Sequence, residues 1–393
     1  MWYTLLSRIG AWLLDTLIRS DRRWQCRHLA ACGVWVIRHI PGGRRLFPVT
    51  SEAVGSVQAQ VRSARFMTTL TQFTPLQSRT LLAACMRVPL RRAFQRRTAL
   101  RGILLLLPSP CHLNCPGCFF ERFAPERGLD PVALHKTLVE LKANGVYLAH
   151  VIGHGELLAA PQMAEQFLDT VAAHTDMFFT LFTSGAGITP ALEQRICTLD
   201  NLFILISIDG LAEEHNRRRG PGVWENGMAL MSRLTRQGKL CGFSCTVTHG
   251  NWREVSSQPF IEALCQYGAC FGIYFRQRHS GDPRWDFGSE FVAEYHRAFV
   301  PFAEAAPIPI VDQELYEEQH GCRVAGKALL TVDMAANALR PCVTCDKQMD
   351  VPFDPQQPGA LTAAIPQVFA RTGWQHHCAC MNAAGETCAP ASP

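Results

Sequence analysis

Six short apolar runs alternate with helix-like segments of ten to twenty residues. They lie near residues 103–107, 147–152, 178–183, 202–208, 241–247 and 271–276. Runs of this length, rich in Leu, Ile, Val and Phe, read as buried strands. Strands separated by helices pair in parallel through right-handed crossovers. The rhythm therefore predicts an α/β fold, with its chemistry at the carboxyl ends of the strands. A chain of 393 residues with 48% hydrophobic content can bury a large core and is long enough for more than one domain.

Directly after the first run comes Cys111-His-Leu-Asn-Cys115-Pro-Gly-Cys118. Three thiolates with this spacing can hold three irons of a 4Fe–4S cubane. Such clusters otherwise take four cysteines, so the remaining iron is left to a small molecule. The alternatives are a zinc knuckle or three unrelated thiols.

Further motifs follow at later strand ends. The run 147–152 ends in Gly153-His154-Gly155-Glu156. Glycines there let backbone groups approach a ligand closely, and a carboxylate suits an ammonium group. The third run ends in Thr183-Ser184-Gly185 and the fourth in Ser207-Ile208-Asp209-Gly210. His215, Asn216 and Arg217-Arg218-Arg219-Gly220 lie beyond the fourth, and Cys245-Thr246-Val247 closes the fifth ahead of Asn251. Each has a plainer reading, as a simple turn or as a helix start with a solvated basic run.

Taken in order, these residues resemble the radical S-adenosylmethionine (radical SAM) superfamily, in particular members with a C-terminal auxiliary iron–sulfur domain of the SPASM or twitch type. The resemblance implies a partial (β/α)₆ barrel. It implies that Cys111, Cys115 and Cys118 hold a catalytic 4Fe–4S cluster whose open iron is chelated by SAM. The reduced cluster of such enzymes cleaves SAM to methionine and a 5′-deoxyadenosyl radical, which abstracts hydrogen from the substrate. By the same match, Gly153, Gly155, Glu156, Thr183, Ser207, Asp209 and Arg219 contact SAM, with Ser207 and Asp209 near the ribose and Arg219 at the carboxylate. A guanidinium fork suits that last task. The chain departs from the family pattern at Gly117, where an aromatic residue usually precedes the third cysteine; Phe119 would then contact the adenine. His154, Leu157, Leu211 and Asn216 also replace usual residues.

Six cysteines follow Pro307. The stretch from Cys322 to Cys342-Val-Thr-Cys345 resembles the start of a SPASM or twitch domain, whereas Cys378, Cys380 and Cys388 do not reproduce the usual spacing. One auxiliary 4Fe–4S cluster is expected, on Cys322, Cys342, Cys345 and one of the last three. A zinc site helped by His376 and His377 is the alternative.

The formal charge of +5 hides an asymmetry. Residues 1–101 carry seventeen Arg, no Lys and only three acids, whereas the remainder is net acidic. Trp2, Leu5, Leu6, Ile9, Leu13 and Leu17 recur at helical spacing, and a second apolar stretch spans Leu29–Ile40. Neither stretch has the uninterrupted length of a transmembrane helix, and the opening is a poor secretory signal. Apolar faces beside arginine clusters fit helices lying on an anionic membrane surface, or equally a helical extension packed on the barrel. Nucleic acid is the weaker reading of the basic patch, because no recognition motif accompanies it.

The expected organisation is a basic helical extension over 1–100, the barrel over 101–305 and a cysteine-rich auxiliary domain over 306–393. Thiolates that feed iron–sulfur clusters need a reducing compartment. The location expected is thus cytoplasmic, or peripheral on the inner membrane face, with an electron donor such as flavodoxin or ferredoxin. Modification of a peptide, protein or small molecule is the leading expectation for function. Modification of a membrane lipid or lipid-linked precursor comes second, and a non-catalytic metal-cluster protein third.

Overall fold

The computed structural model describes residues 102–118, 120, 128–146, 148–199, 201–239, 241–277, 287–308, 310–315, 329–343 and 349–372. Phe119, Cys322, Cys345, Cys378, Cys380, Cys388, His376, His377 and the basic segment 1–101 lie outside them, and with them the helices of the extension.

All six expected strands form, each within a residue of its apolar run. They are β1 (Gly102–Leu107), β2 (Leu148–Gly153), β3 (Phe178–Thr183), β4 (Leu202–Ser207), β5 (Cys241–Val247) and β6 (Gly272–Arg276). Each pairs in parallel with the next. The crossovers are helical: α1 (Pro131–Ala143), α2 (Pro161–Ala173), α3 (Pro190–Thr198), α4 (Ala212–Arg219), α5 (Val223–Arg236), α6 (Trp252–Val255) and α7 (Gln258–Gln266). Their starts are written locally. Asp130 accepts from the Val132 and Ala133 amides at 2.9 and 3.0 Å, with Pro131 in the first turn. Thr189 caps α3 in the same way ahead of Pro190.

The sheet does not stop at β6. After α8 (Ser289–Ala305), β7 (Ile310–Asp312) adds in parallel to β6. At the opposite edge β8 (Leu329–Asp333) lies parallel to β1, followed by antiparallel β9 (Ala338–Arg340) and β10 (Val351–Pro352). The order is β10-β9-β8-β1-β2-β3-β4-β5-β6-β7. The sheet therefore crosses the domain boundary expected at residue 305: hydrogen bonding to β1 and β6 ties the described part of 306–393 to the same layer. Helix α9 (Ala360–Thr372) then meets α1, where Glu140 accepts from the Gly359 and Thr362 amides at 2.7 and 3.1 Å.

Alternation along the strands sorts the side chains. Ile103, Leu105, Ala149, Val151, Phe179, Leu181, Ile204, Ile206, Phe243 and Cys245 face the helices and form the main core. Leu104, His150, Ile152, Phe182, Ser207, Ser244, Thr246, Ile273 and Phe275 face the other way and line a cavity. Among the described residues no helix is long and apolar enough to cross a membrane.

Candidate active site

The cavity measures about 390 Å³, and Cys111, Cys115 and Cys118 all border it. They hang from an irregular loop at the end of β1. The amide of Cys118 donates to the Cys115 carbonyl at 3.2 Å, and Gly117 between them has φ of 61°. Pro followed by a left-handed residue is the signature of a type II turn, where glycine avoids the Cβ penalty. Gly117 suits this turn, at the position where the sequence departs from the pattern it resembles. The Gln277 side-chain amide donates to its carbonyl at 3.0 Å, fastening the loop to the end of β6. Burial raises the pKa of Cys111, and the nearby charges of Glu156 and Cys118 add to the rise. Burial also raises that of Cys115, against the lowering pull of Arg219 and Arg218.

The Gly-His-Gly-Glu loop is packed onto the approach to the triplet. A Cβ at Gly153 would lie 2.4 Å from Ser109 Oγ, and one at Gly155 would lie 2.4 Å from the Pro110 carbonyl oxygen. The Gly155 amide donates to Ser109 Oγ at 3.0 Å and the Glu156 amide to the Pro110 carbonyl at 2.9 Å. Both glycines border the cavity, but what demands glycine is this backbone approach. Glu156 is buried, and its carboxylate accepts from Thr183 Oγ1 at 2.6 Å, the Ser184 amide at 2.6 Å and Ser184 Oγ at 2.5 Å. It locks the β2 and β3 loops together while still bordering the cavity beside Thr183.

An ion-pair cluster lies within electrostatic reach of Cys115. Arg218 and Arg219 enter the cavity wall from α4, and both pair with Asp209, Arg219 Nε at 2.5 Å. Asp209 is fully buried and lies behind the arginines rather than on the cavity wall. Its carboxylate also accepts from the Thr246 amide at 2.8 Å, and its own amide donates to His215 Nδ1 at 3.0 Å. Burial alone would raise the Asp209 pKa, but the two arginines override it and hold the carboxyl far below the usual range. Burial lowers the His215 pKa to about 4, so the ring accepts that bond as a neutral imidazole. Asn251 Nδ2 donates at 2.8 Å to the Asp209 and Thr246 carbonyls, joining the β4 and β5 ends. Ser207 borders the cavity, 3.3 Å from Ser244 Oγ.

Four features escaped the sequence reading. Arg218 pairs with Asp209 and borders the cavity as Arg219 does; three consecutive arginines on a short helix were the available signal. His154 lies 3.2 Å from Asp333 of β8, and Asp333 in turn pairs with Arg340 at 3.1 Å. No local pattern announces that long-range contact. Phe120 borders the cavity with its ring edge-on to His154, while Phe119 is outside the described residues. His150 projects into the cavity from mid-β2. Of the C-terminal cysteines, Cys342 is buried and borders the same cavity. Cys197, Cys241, Cys265 and Cys270 lie away from it, and burial raises the pKa of each thiol. Among the described residues no three His, Cys, Asp or Glu side chains converge closely enough to hold a single metal ion.

No protein-family model matches the chain. Over 173 residues it is 27% identical to the mycofactocin maturase MftC of Mycobacterium tuberculosis, which is 44% of this chain and 43% of that protein. The chain thus spans less than half the length of that relative. The fold is similar to that of Streptococcus suis SuiB bound to S-adenosylmethionine, with TM-score 0.55 and 13% identity over 73% of each chain. It is also similar to anSMEcpe with bound AdoMet and the Cp18Cys peptide, with TM-score 0.52 and 15% identity over 67% of this chain and 80% of that one. The α/β fold with its parallel sheet is therefore one found in proteins that bind SAM.

Proposed function

We propose that the chain is a radical SAM enzyme that modifies a peptide or protein, built on a partial (β/α)₆ barrel over β1–β6. The observation that carries the reading is the convergence on one cavity of three thiols from one loop, the Gly153–Glu156 loop, Ser207 and the Arg218–Arg219 pair. The donor set fits the cofactors. Cys111, Cys115 and Cys118 would hold a 4Fe–4S cluster with one iron open. Arg218 and Arg219, kept charged and aimed by Asp209, would meet the SAM carboxylate; Ser207 would meet the ribose, and the Gly153–Glu156 loop the amino group. When bound, the cluster supplies the electron that cleaves SAM to methionine and a radical able to take hydrogen from a substrate. The chain's own part is to hold those ligands, orient SAM and keep water out of a cavity whose surface is mostly apolar.

Peptide or protein substrates are favoured over lipid because peptides accompany SuiB-like folds such as anSMEcpe, and the membrane reading rests only on residues 1–101. Cys342, on the same cavity, would be one ligand of an auxiliary cluster completed by Cys322, Cys345 and one of Cys378, Cys380 and Cys388. A ferredoxin or flavodoxin would supply the electron.

The test is anaerobic reconstitution of the full chain, counting iron and assaying 5′-deoxyadenosine formed from SAM with dithionite. About eight irons per chain, falling to about four with loss of deoxyadenosine when Cys111, Cys115 and Cys118 are all changed to Ala, is the expected result. About four irons, all lost in the variant, would remove the auxiliary cluster. Zinc at the triplet would overturn the whole reading.

A further inference from the structure

The lower part of the cavity is chemically simple. Along the strands its wall includes Leu104, Ile152, Phe182, Ser244, Ile273 and Leu329. One ionisable side chain interrupts them. His150 sits in register with Leu104 of β1 and Thr180 of β3, on the inward face of β2. It lies about 10 Å before the strand end at Gly153, given a rise of about 3.3 Å per residue. It is therefore well below the loops that carry the cysteines and Glu156.

Its ring borders the cavity, the residue is half-buried, and desolvation lowers its pKa to about 4. No charge accompanies that burial as a second cause, and no hydrogen bond to the ring is found among the described residues. His215, with the same lowered pKa, spends one ring nitrogen on the Asp209 amide, and His174 faces His135 at 3.0 Å. The His150 ring nitrogens are not among the buried polar atoms left without a bond, so they stay open to a group that enters the cavity. A neutral imidazole offers one donor and one acceptor, which matches a hydroxyl or a carboxamide and disfavours a lone cation or anion.

We propose that His150 is a substrate-binding residue: its imidazole hydrogen-bonds an uncharged hydroxyl or carboxamide side chain of the peptide, whose apolar parts fill the floor formed by Leu104, Ile152, Phe182, Ile273 and Leu329. The proposal rests on the peptide-modification reading and names the side-chain class that its site accepts. His150 acts below the SAM contacts, so it selects the substrate without holding the cofactor.

The experiment uses the full, reconstituted chain with SAM bound. Matched pairs of N-acetyl amino-acid amides serve as probes: threonine against valine, tyrosine against phenylalanine, and glutamine against lysine. Binding is read by saturation-transfer NMR, SAM affinity by the change in the cluster's EPR spectrum, and SAM cleavage without probe by 5′-deoxyadenosine. The wild type is expected to bind the hydroxyl and carboxamide members about fivefold to tenfold more tightly, the range expected for one hydrogen bond. His150→Phe should erase that preference, and His150→Gln, which keeps a donor and an acceptor, should restore part of it. SAM affinity and probe-free cleavage should stay within twofold of wild type in both variants.

Equal binding within each pair, a preference that survives in His150→Phe, tighter binding of the lysine probe, or no probe binding at all overturns the proposal. Loss of SAM affinity in both variants overturns it too, by placing His150 in the cofactor site. A wild type that holds iron and cleaves SAM but shows no pairwise preference refutes the role of His150 alone. A wild type that does neither refutes the enzyme reading instead.

Discussion

At the thiol end of the site, Cys111, Cys115 and Cys118 hang from a loop held by one turn and the grip of Gln277. Within electrostatic reach of it, Arg218 and Arg219 are clamped by a fully buried carboxylate, itself fixed by the Thr246 amide, by His215 through its own amide and by Asn251 through its carbonyl. The thiol end is held by backbone hydrogen bonds, those of Leu113 and Glu156 to Cys111 among them, which leave the sulfurs able to ligate a cluster. The arginine end is complete before any ligand arrives. Charge explains the difference. A thiol can stay neutral until metal takes its proton, whereas a guanidinium cannot, so two buried cations need their counter-ion within the fold.

Removing that counter-ion should give the largest effect. Asp209→Asn keeps an acceptor for the Thr246 amide but leaves two arginines unpaired in the cavity wall. Breaking a buried pair in this way costs about 3–5 kcal/mol. Denaturant unfolding should show the loss, together with weaker SAM binding. A variant as stable as wild type would mean the arginine end is no more pre-built than the thiol end.

Glu156 tests the seam between the two ends. Glu156→Gln removes the charge that receives Thr183 Oγ1, the Ser184 amide and Ser184 Oγ, and sets an NH₂ group against one of those donors. Hydrogen bonds to a charged group are worth about 1.5–3 kcal/mol each, and rearrangement of the amide should limit the loss to about 2–3 kcal/mol. The unfolding midpoint should fall accordingly with m unchanged. A midpoint equal to wild type, with only SAM binding impaired, would make Glu156 a ligand rather than a brace.

His215 gives a smaller, pH-dependent effect confined to the arginine end. In the fold its pKa is about 4, against 6.5 for an ordinary histidine. Between those values the unfolded chain binds the extra proton. Its contribution is therefore fully present above pH 6.5 and is lost as pH falls towards 4. Going from pH 7 to 5 should cost about 1–2 kcal/mol through this residue. His215→Gln should flatten the wild-type dependence by that amount, and equal slopes in the two proteins would place the ring's proton elsewhere.

The same contrast explains what could be read from sequence. The strands were legible because each is an unbroken apolar run, and the triplet because its thiols are neighbours along one loop. The caps at Asp130-Pro131 and Thr189-Pro190 are equally local, although only the structure shows them. The roles at the arginine end were only half legible. Asp209 is placed among functional residues by its pattern, but nothing local says that its carboxylate turns away from the cavity to hold Arg218 as well as Arg219. Contacts made across the sheet left no local trace: β8 beside β1, His154 on Asp333, His150 facing the cavity floor. His154 and Asp333 alone lie 179 residues apart, and only the register of the strands brings such partners together.

Gly117→Ala should give the smallest effect and separates backbone from ligand at the thiol end. A non-glycine residue held at a φ of 61° costs about 1 kcal/mol, through the approach of its Cβ to the following carbonyl. The metal-free chain should lose about that much stability, because the turn from Cys115 to Cys118 forms without metal. Reconstitution should still load iron, since the thiols keep their spacing along the chain, but iron should be lost faster to a chelator than in wild type. If the metal-free chain is unaffected while iron retention drops, the turn is imposed by the cluster. If stability drops and retention does not, the turn is a backbone feature that the cluster merely uses, and even the thiol end of the site is pre-shaped.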